Sequence, residues 1–265
     1  MPVYVSLMND ADAPFTAAAP RKLGRGDDHW IAYHTAAGKS PGVLFLGGFK
    51  SDMTGTKATA LDEFCRRTGR SFTRFDYFGH GASSGKFTDG TIGRWRDDAL
   101  AVLDQVTQGP QVVVGSSMGG WIANLLTVAR PERVAGLITL AAAPDFTHRL
   151  IETRLTQAQR EALARDGFVT DPSAYDPDGY QITRSLIEEG RNHLILDRPV
   201  AIRCPVRLIH GDSDADVPWS LSAELLGRLE SADATLTLVK GADHRLSNPA
   251  DIARMEQAVE ELAAL

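Results

Sequence analysis

The run Val112-Val113-Val114-Gly115-Ser116-Ser117-Met118-Gly119-Gly120-Trp121 carries an apolar, β-branched segment into Gly-x-Ser-x-Gly and then into a helical pattern. A serine on so sharp a strand-to-helix turn projects its hydroxyl above the strand end, and side chains at Gly115 and Gly119 would collide as the turn closes. Ser117 is the candidate nucleophile. The helix that follows turns its first amides toward that hydroxyl, so the Met118 N–H is placed to donate to an oxyanion, with the helix dipole favouring the charge. Ser116, the second hydroxyl of the motif, sits off its symmetric position and reads as a supporting residue.

A serine hydroxyl needs a base. Lys240-Gly241-Ala242-Asp243-His244 follows a short strand and puts His244 on a loop beyond a strand end, where an imidazole can take the serine proton. Leu208-Ile209-His210-Gly211-Asp212-Ser213-Asp214-Ala215-Asp216-Val217-Pro218 places carboxylates on another such loop. Asp214 is the chosen orienting acid, with Asp212 and Asp216 as competitors that otherwise read as a hydrated acidic turn. His29, His34, His148 and His193 read as solvated loop histidines.

Leu44-Phe45-Leu46-Gly47-Gly48-Phe49-Lys50-Ser51-Asp52-Met53 runs an apolar strand into a glycine pair, which lets backbone come close to a ligand. The Phe49 N–H is the expected second donor of the oxyanion hole, and Lys50 and Met53 on the same loop are expected to meet substrate. Phe75–Gly85 contains Asp, His and several glycines. It has neither a second His at ligand spacing nor a Gly-Lys-Ser/Thr ending, so it reads as a turn beside the site rather than a metal or phosphate loop.

Short apolar runs alternate with longer amphipathic stretches, the pattern of a parallel α/β sheet covered by helices on both faces. Strands are expected over His29–His34, Val43–Leu46, Ser71–Asp76, Val112–Gly115, Ala135–Leu140, Val206–His210 and Thr235–Val239. Helices are expected after Gly55, Gly90, Ser117, Pro218 and Pro249. The alternation breaks between residues 144 and 205, where charged helical stretches (Glu161–Arg165, Ser185–Arg191) flank a turn-rich interval from Thr170 to Gly179. The segment far exceeds a minimal crossover and reads as a helical cap inserted before the late strands, with 1–143 and 206–265 forming the core. Phe146, Leu150, Leu155, Phe168 and Tyr180 of this cap are candidates to wall an apolar acyl site.

Composition excludes several other classes. The 265 residues carry 28 Lys+Arg against 34 Asp+Glu, a formal net charge of -6 with no dense basic block, which argues against nucleic-acid or anionic-membrane partners. Cys65 and Cys204 stand far apart without a C-x-x-C, so neither a zinc site nor a disulfide framework is signalled and a reducing cytoplasm is expected. Met1–Pro20 has no basic-then-apolar leader pattern, and Asp10 and Asp12 argue against a transit peptide. The longest apolar runs are strand-sized, so no membrane span is expected.

Together these motifs resemble the α/β-hydrolase family, whose triad runs Ser, Asp, His along the chain, as Ser117, Asp214 and His244 do here. Gly-Lys-Ser-Pro-Gly at Gly38–Gly42, Gly55-Thr56-Lys57-Ala58, Phe75-Asp76-Tyr77, Gly115–Trp121, Cys204-Pro205-Val206-Arg207-Leu208, Val217-Pro218-Trp219 and Asp243-His244-Arg245 are similar to its palmitoyl-protein thioesterase and acyl-glucuronide esterase branch, and to bacterial carboxylic-ester hydrolases. The resemblance implies an eight-stranded, mostly parallel core and cleavage of acyl esters or thioesters, of small molecules or acyl-proteins, with no metal or organic cofactor. Alternatives on the same fold are hydrolysis of an amide or a carbon–carbon bond, or a non-catalytic binding scaffold. Haloalkane and epoxide hydrolysis are disfavoured, because those enzymes use Asp where Ser117 stands.

Overall fold

The computed structural model describes residues 19–26, 28–171 and 179–265. Eight strands form one sheet: β1 (Arg21–Gly26), β2 (His29–Ala36), β3 (Lys39–Leu46), β4 (Arg70–Phe75), β5 (Gln111–Ser116), β6 (Val134–Leu140), β9 (Val206–Gly211) and β10 (Ala234–Val239). Their order is β1-β2-β4-β3-β5-β6-β9-β10, antiparallel at β1/β2 and β2/β4 and parallel from β4 onward. All seven expected strands are present to within a few residues. The eighth, β1, is polar and exposed and pairs only at the sheet edge, so no apolar run marks it.

The period of two along the central strands assigns the two faces. Val112 and Val114 of β5 and Val43 and Phe45 of β3 pack beneath helices α1 (Thr56–Thr68) and α7 (Pro249–Leu262). Val113, Leu44 and Leu46 point the other way, toward α2 (Ile92–Gln105), α3 (Met118–Ala129) and α6 (Ser220–Arg228). Burial on both faces is why these strands read as continuous apolar runs rather than alternating ones. The helix ends follow from local chemistry: Thr91 caps α2 by accepting from Arg94 N–H, Asn248 caps α7 through Asp251 N–H, and left-handed Gly69 closes α1.

Between β6 and β9 the chain forms α4 (Gln157–Asp166), a two-stranded hairpin of β7 (Phe168–Asp171) and β8 (Tyr180–Thr183), and α5 (Arg184–Gly190). The hairpin is an addition to the helical segment read from sequence: its four-residue strands are too short to show a period. The middle of the expected turn-rich interval, 172–178, lies outside the described residues, as does most of Met1–Pro20. Ile195, Leu196, Val200 and Ile202 return into the main hydrophobic core, so the end of this segment packs with the sheet rather than above it. Among the described residues no helix is long and apolar enough to cross a membrane.

Candidate active site

Ser117 sits between β5 and α3 with φ 56 and ψ -120, a strained conformation for a residue with a side chain. Its neighbours hold it there. Ser117 N–H donates to Leu140 O at 2.9 Å, and Ser117 O accepts from Gly120 and Ala143 N–H. A Cβ at Gly115 would lie 2.3 Å from Gly119 O, and one at Gly119 would lie 2.3 Å from Leu46 O, so both glycines are steric requirements of the turn.

The parallel pair β9/β10 delivers the other two residues. A Cβ on Gly211, at the end of β9, would fall 2.1 Å from Ala242 O, so only glycine lets the loops after β9 and β10 touch. His244 Nε2 lies 3.0 Å from Ser117 Oγ, and His244 Nδ1 lies 2.7 Å from Asp214 Oδ2. The Asp214 side chain is wholly buried. Burial opposes its charge, but hydrogen bonds from His210 and His244, the imidazole charge of His244 and the Val217 N–H outweigh that and hold its pKa well below the usual carboxylate range. An ionised Asp214 only accepts, so Nδ1 carries the His244 proton and Nε2 presents a lone pair to the serine hydroxyl.

Of the competing acids, Asp212 binds Gly241 N–H at 2.6 Å and Lys240 Nζ at 2.9 Å and so clasps the two loops together, while Asp216 lines the cleft. Asp214, Asp216 and His244 bring ligand atoms within 4.8 Å of one another. Asp214 is already fully engaged, Oδ2 by two imidazoles and Oδ1 by the Asp216 and Val217 amides.

Three residues with no role in the sequence reading belong to the site. His210, wholly buried, lies with Nε2 3.0 Å from Asp214 Oδ2 and from Val217 O, and Nδ1 2.7 Å from Ser222 Oγ. Its four-residue spacing from Asp214 was the available signal. Lys57 lines the cleft and donates from Nζ to Arg245 O beside His244; burial pushes its pKa down to about 8. His80, buried under the loop after β3, accepts from Lys50 N–H at 3.2 Å.

That loop lies against Ser117: a Cβ on Gly48 would be 3.4 Å from Ser117 Cβ. Met118 opens α3, so its amide is among those a helix leaves without an internal carbonyl. The Phe49 ring is the hub of an aromatic cluster, 4.8 Å from Phe87, 5.5 Å from Phe146, 5.6 Å from Tyr180 and 5.9 Å from Trp95. A cleft of about 710 Å³ opens over Ser117 and His244, and Lys50, Phe146, Leu150, Leu155 and Tyr180 all line it.

Two expected substrate contacts are placed elsewhere. Met53 is 3% exposed beneath the loop, its N–H held by Asp76 Oδ1 and its carbonyl by Arg74, so it anchors the loop and does not reach the cleft. Phe168 is 41% exposed on the outside of β7, because the strand's alternation turns Val169 inward instead. His34 and His193, read as solvated, are buried on β2 and beside Glu189.

Sheet order, elbow and loop placement are those of the alpha/beta hydrolase family, whose family model matches residues 43–263, and the chain belongs to it. Within that family it is 41% identical over 241 residues, 91% of this chain and 81% of the relative, to the mitochondrial palmitoyl-protein thioesterase ABHD10 of Mus musculus, and 39% identical to that of Homo sapiens over the same share of this chain and 78% of the relative. The solved structure of mouse alpha/beta hydrolase domain-containing protein 10 superposes with a TM-score of 0.86 at 40% identity, over 92% of this chain and 98% of that one. A putative hydrolase from Agrobacterium vitis S4 superposes with a TM-score of 0.88 at 42% identity, over 92% and 97%.

Proposed function

We propose that this chain is a serine hydrolase that cleaves carboxylic esters or thioesters through an acyl-enzyme on Ser117, with 1–143 and 206–265 as core and 144–205 as the cap insertion, whose last residues, from Ile195 on, return to that core. The observation that carries the reading is the unbroken line from Ser117 Oγ through His244 to a buried, ionised Asp214. In the first half-reaction His244 Nε2 takes the serine proton as Oγ bonds to the acyl carbon. The carbonyl electron pair moves onto oxygen, where the Phe49 and Met118 amides receive it. The intermediate collapses, and the leaving alcohol or thiol departs with the proton from Nε2. In the second half-reaction His244 deprotonates water, which attacks the acyl-enzyme. The carboxylic acid leaves and Ser117 recovers its proton. Every proton passes through one imidazole, and no metal or organic cofactor enters.

The apolar side of the cleft, Phe49, Phe146, Leu150, Leu155 and Tyr180, suits the acyl chain, while the side formed by Lys57, Arg245 and Ser247 suits a polar leaving group. The thioesterase names of the mammalian relatives support thioesters, acyl-proteins among them, as one substrate class. The compartment expected from the sequence is the reducing cytoplasm, whereas those relatives are named as mitochondrial proteins. Hydrolysis of matched oxygen esters and thioesters, acetyl to palmitoyl, with Ser117→Ala as blank, tests the proposal. Turnover of an acyl series above the blank supports it, and turnover equal to the blank throughout overturns it.

A further inference from the structure

We propose that His80 is a positioning residue for the oxyanion hole, acting through the Lys50 amide to set the direction of the Phe49 N–H. The inference rests on the Phe49 amide being an oxyanion donor, as argued above.

Gly48-Phe49-Lys50-Ser51 is a tight turn closed by Ser51 N–H to Gly48 O at 3.1 Å. Lys50 occupies its third position with φ 57, where turns of this kind require positive φ and ordinarily take glycine. A lysine there pays a steric cost, so something outside the turn must hold it. His80 does so: its Nδ1 lies 3.1 Å from Phe78 O, which only accepts, so Nδ1 carries the proton and Nε2 is left as the acceptor for Lys50 N–H at 3.2 Å.

The ring has little freedom to turn away. It is 4% exposed and packs edge-on against Tyr77, Phe87 and Trp95, and Trp95 Nε1 donates to the same Phe78 carbonyl. Burial, reinforced by Lys50, pushes the imidazole pKa down to about 4, against the opposing bond to Phe78, so Nε2 remains an acceptor at neutral pH.

The consequence reaches the reacting atoms through peptide planarity. Gly48 C=O and Phe49 N–H belong to one trans peptide and point in opposite directions. Fixing the Lys50 amide on His80 keeps the turn closed, the closed turn fixes Gly48 O on Ser51 N–H, and the Phe49 N–H is thereby aimed away from the turn. Gly48, in the same peptide, borders Ser117.

The test compares His80→Leu, which removes the acceptor, with His80→Gln, whose Oε1 reaches the position of Nε2. The readouts are kcat and KM on an ester substrate and the Ki of a trifluoromethyl ketone that forms the oxyanion on Ser117. Leu is expected to lower kcat by about 10- to 100-fold with KM within about twofold, to weaken the ketone in parallel, and to be largely rescued by Gln. If the Leu variant does not fold, His80→Asn, too short to reach Lys50, takes its place. Equal loss in the acceptor and non-acceptor variants, or unchanged kcat in a folded His80→Leu, overturns the proposal. Ser117→Ala separates the two levels: if it retains activity the serine mechanism itself is wrong, whereas its inactivity beside an unaffected His80→Leu removes only the role of His80.

Discussion

His210 Nε2 lies 3.0 Å from Asp214 Oδ2, the same oxygen that faces His244, so one carboxylate oxygen is shared by two imidazoles. His210 also holds Val217 O and Ser222 Oγ, which joins the acid loop to α6. Replacing it by Phe leaves Ser222 and one lobe of Asp214 without their buried partner. We expect a stability loss of about 1–3 kcal/mol in urea unfolding and a kcat reduced about 10-fold. Unchanged values on both counts would show that His210 merely fills space.

The choice between Asp214 and Asp216 as the orienting acid is directly testable. Asp214→Asn is expected to cut kcat by about 10³–10⁴ because the amide no longer fixes the His244 tautomer, while Asp216→Asn stays within about threefold. Steady-state kinetics of the two purified variants decides it, and the reverse order would reassign the acid.

Gly119→Ala places a Cβ 2.3 Å from Leu46 O and 2.4 Å from Gly47 O, backbone that cannot swing aside as a flexible side chain would. The elbow and the loop carrying Phe49 are forced apart. A loss of about 1–3 kcal/mol and a drop in kcat are expected together. Thermal unfolding and activity of the variant check this, and a fully active, equally stable protein would contradict the packing described.

How much of this was legible before the structure depends on how local each requirement is. Gly115 and Gly119 follow from one turn around Ser117, and the loops that carry Asp214 and His244 follow from strand ends marked in the sequence, while the choice of Asp214 over Asp212 and Asp216 on its loop depends on the contacts each makes. Met53 and Phe168 lie away from the cleft because which face of a loop or a short hairpin meets it is set by distant partners, Arg74 and Asp76 for the first and the packing of Val169 for the second. His80 works through a contact across 30 residues of chain, to Lys50, that no local pattern announces, whereas His210 stands four residues from Asp214 and only its contact to Ser222 is longer-range.

His80 also makes stability depend on pH. Its folded pKa, about 4, lies below the ordinary 6.5, so the unfolded chain binds the proton first and stability is lost as pH falls through that window. Between pH 7.5 and about pH 5 this contribution amounts to about 2 kcal/mol. The stability gap between the parent and His80→Gln is expected to narrow by that amount in urea titrations, and a gap constant over the range would contradict a buried neutral imidazole.

Acyl preference should follow the cleft lining and not the cap's outer face. Phe146→Ala and Tyr180→Ala enlarge the apolar wall and are expected to shift the preferred chain length in an acyl-ester series, whereas Phe168→Ala leaves it unchanged. A shift with Phe168 alone would move the acyl site to the outer face.

If Ser117 forms the acyl-enzyme, covalent capture reports it at the residue itself. Intact protein is treated with a fluorophosphonate, the adduct is mapped by peptide mass spectrometry, and ester turnover is followed in parallel with that of Ser117→Ala. One adduct is expected, on Ser117, appearing as turnover disappears, together with a variant that neither labels nor turns over above about 10⁻³ of the parent rate. Labelling at another residue, or a Ser117→Ala protein that retains its activity, would contradict it.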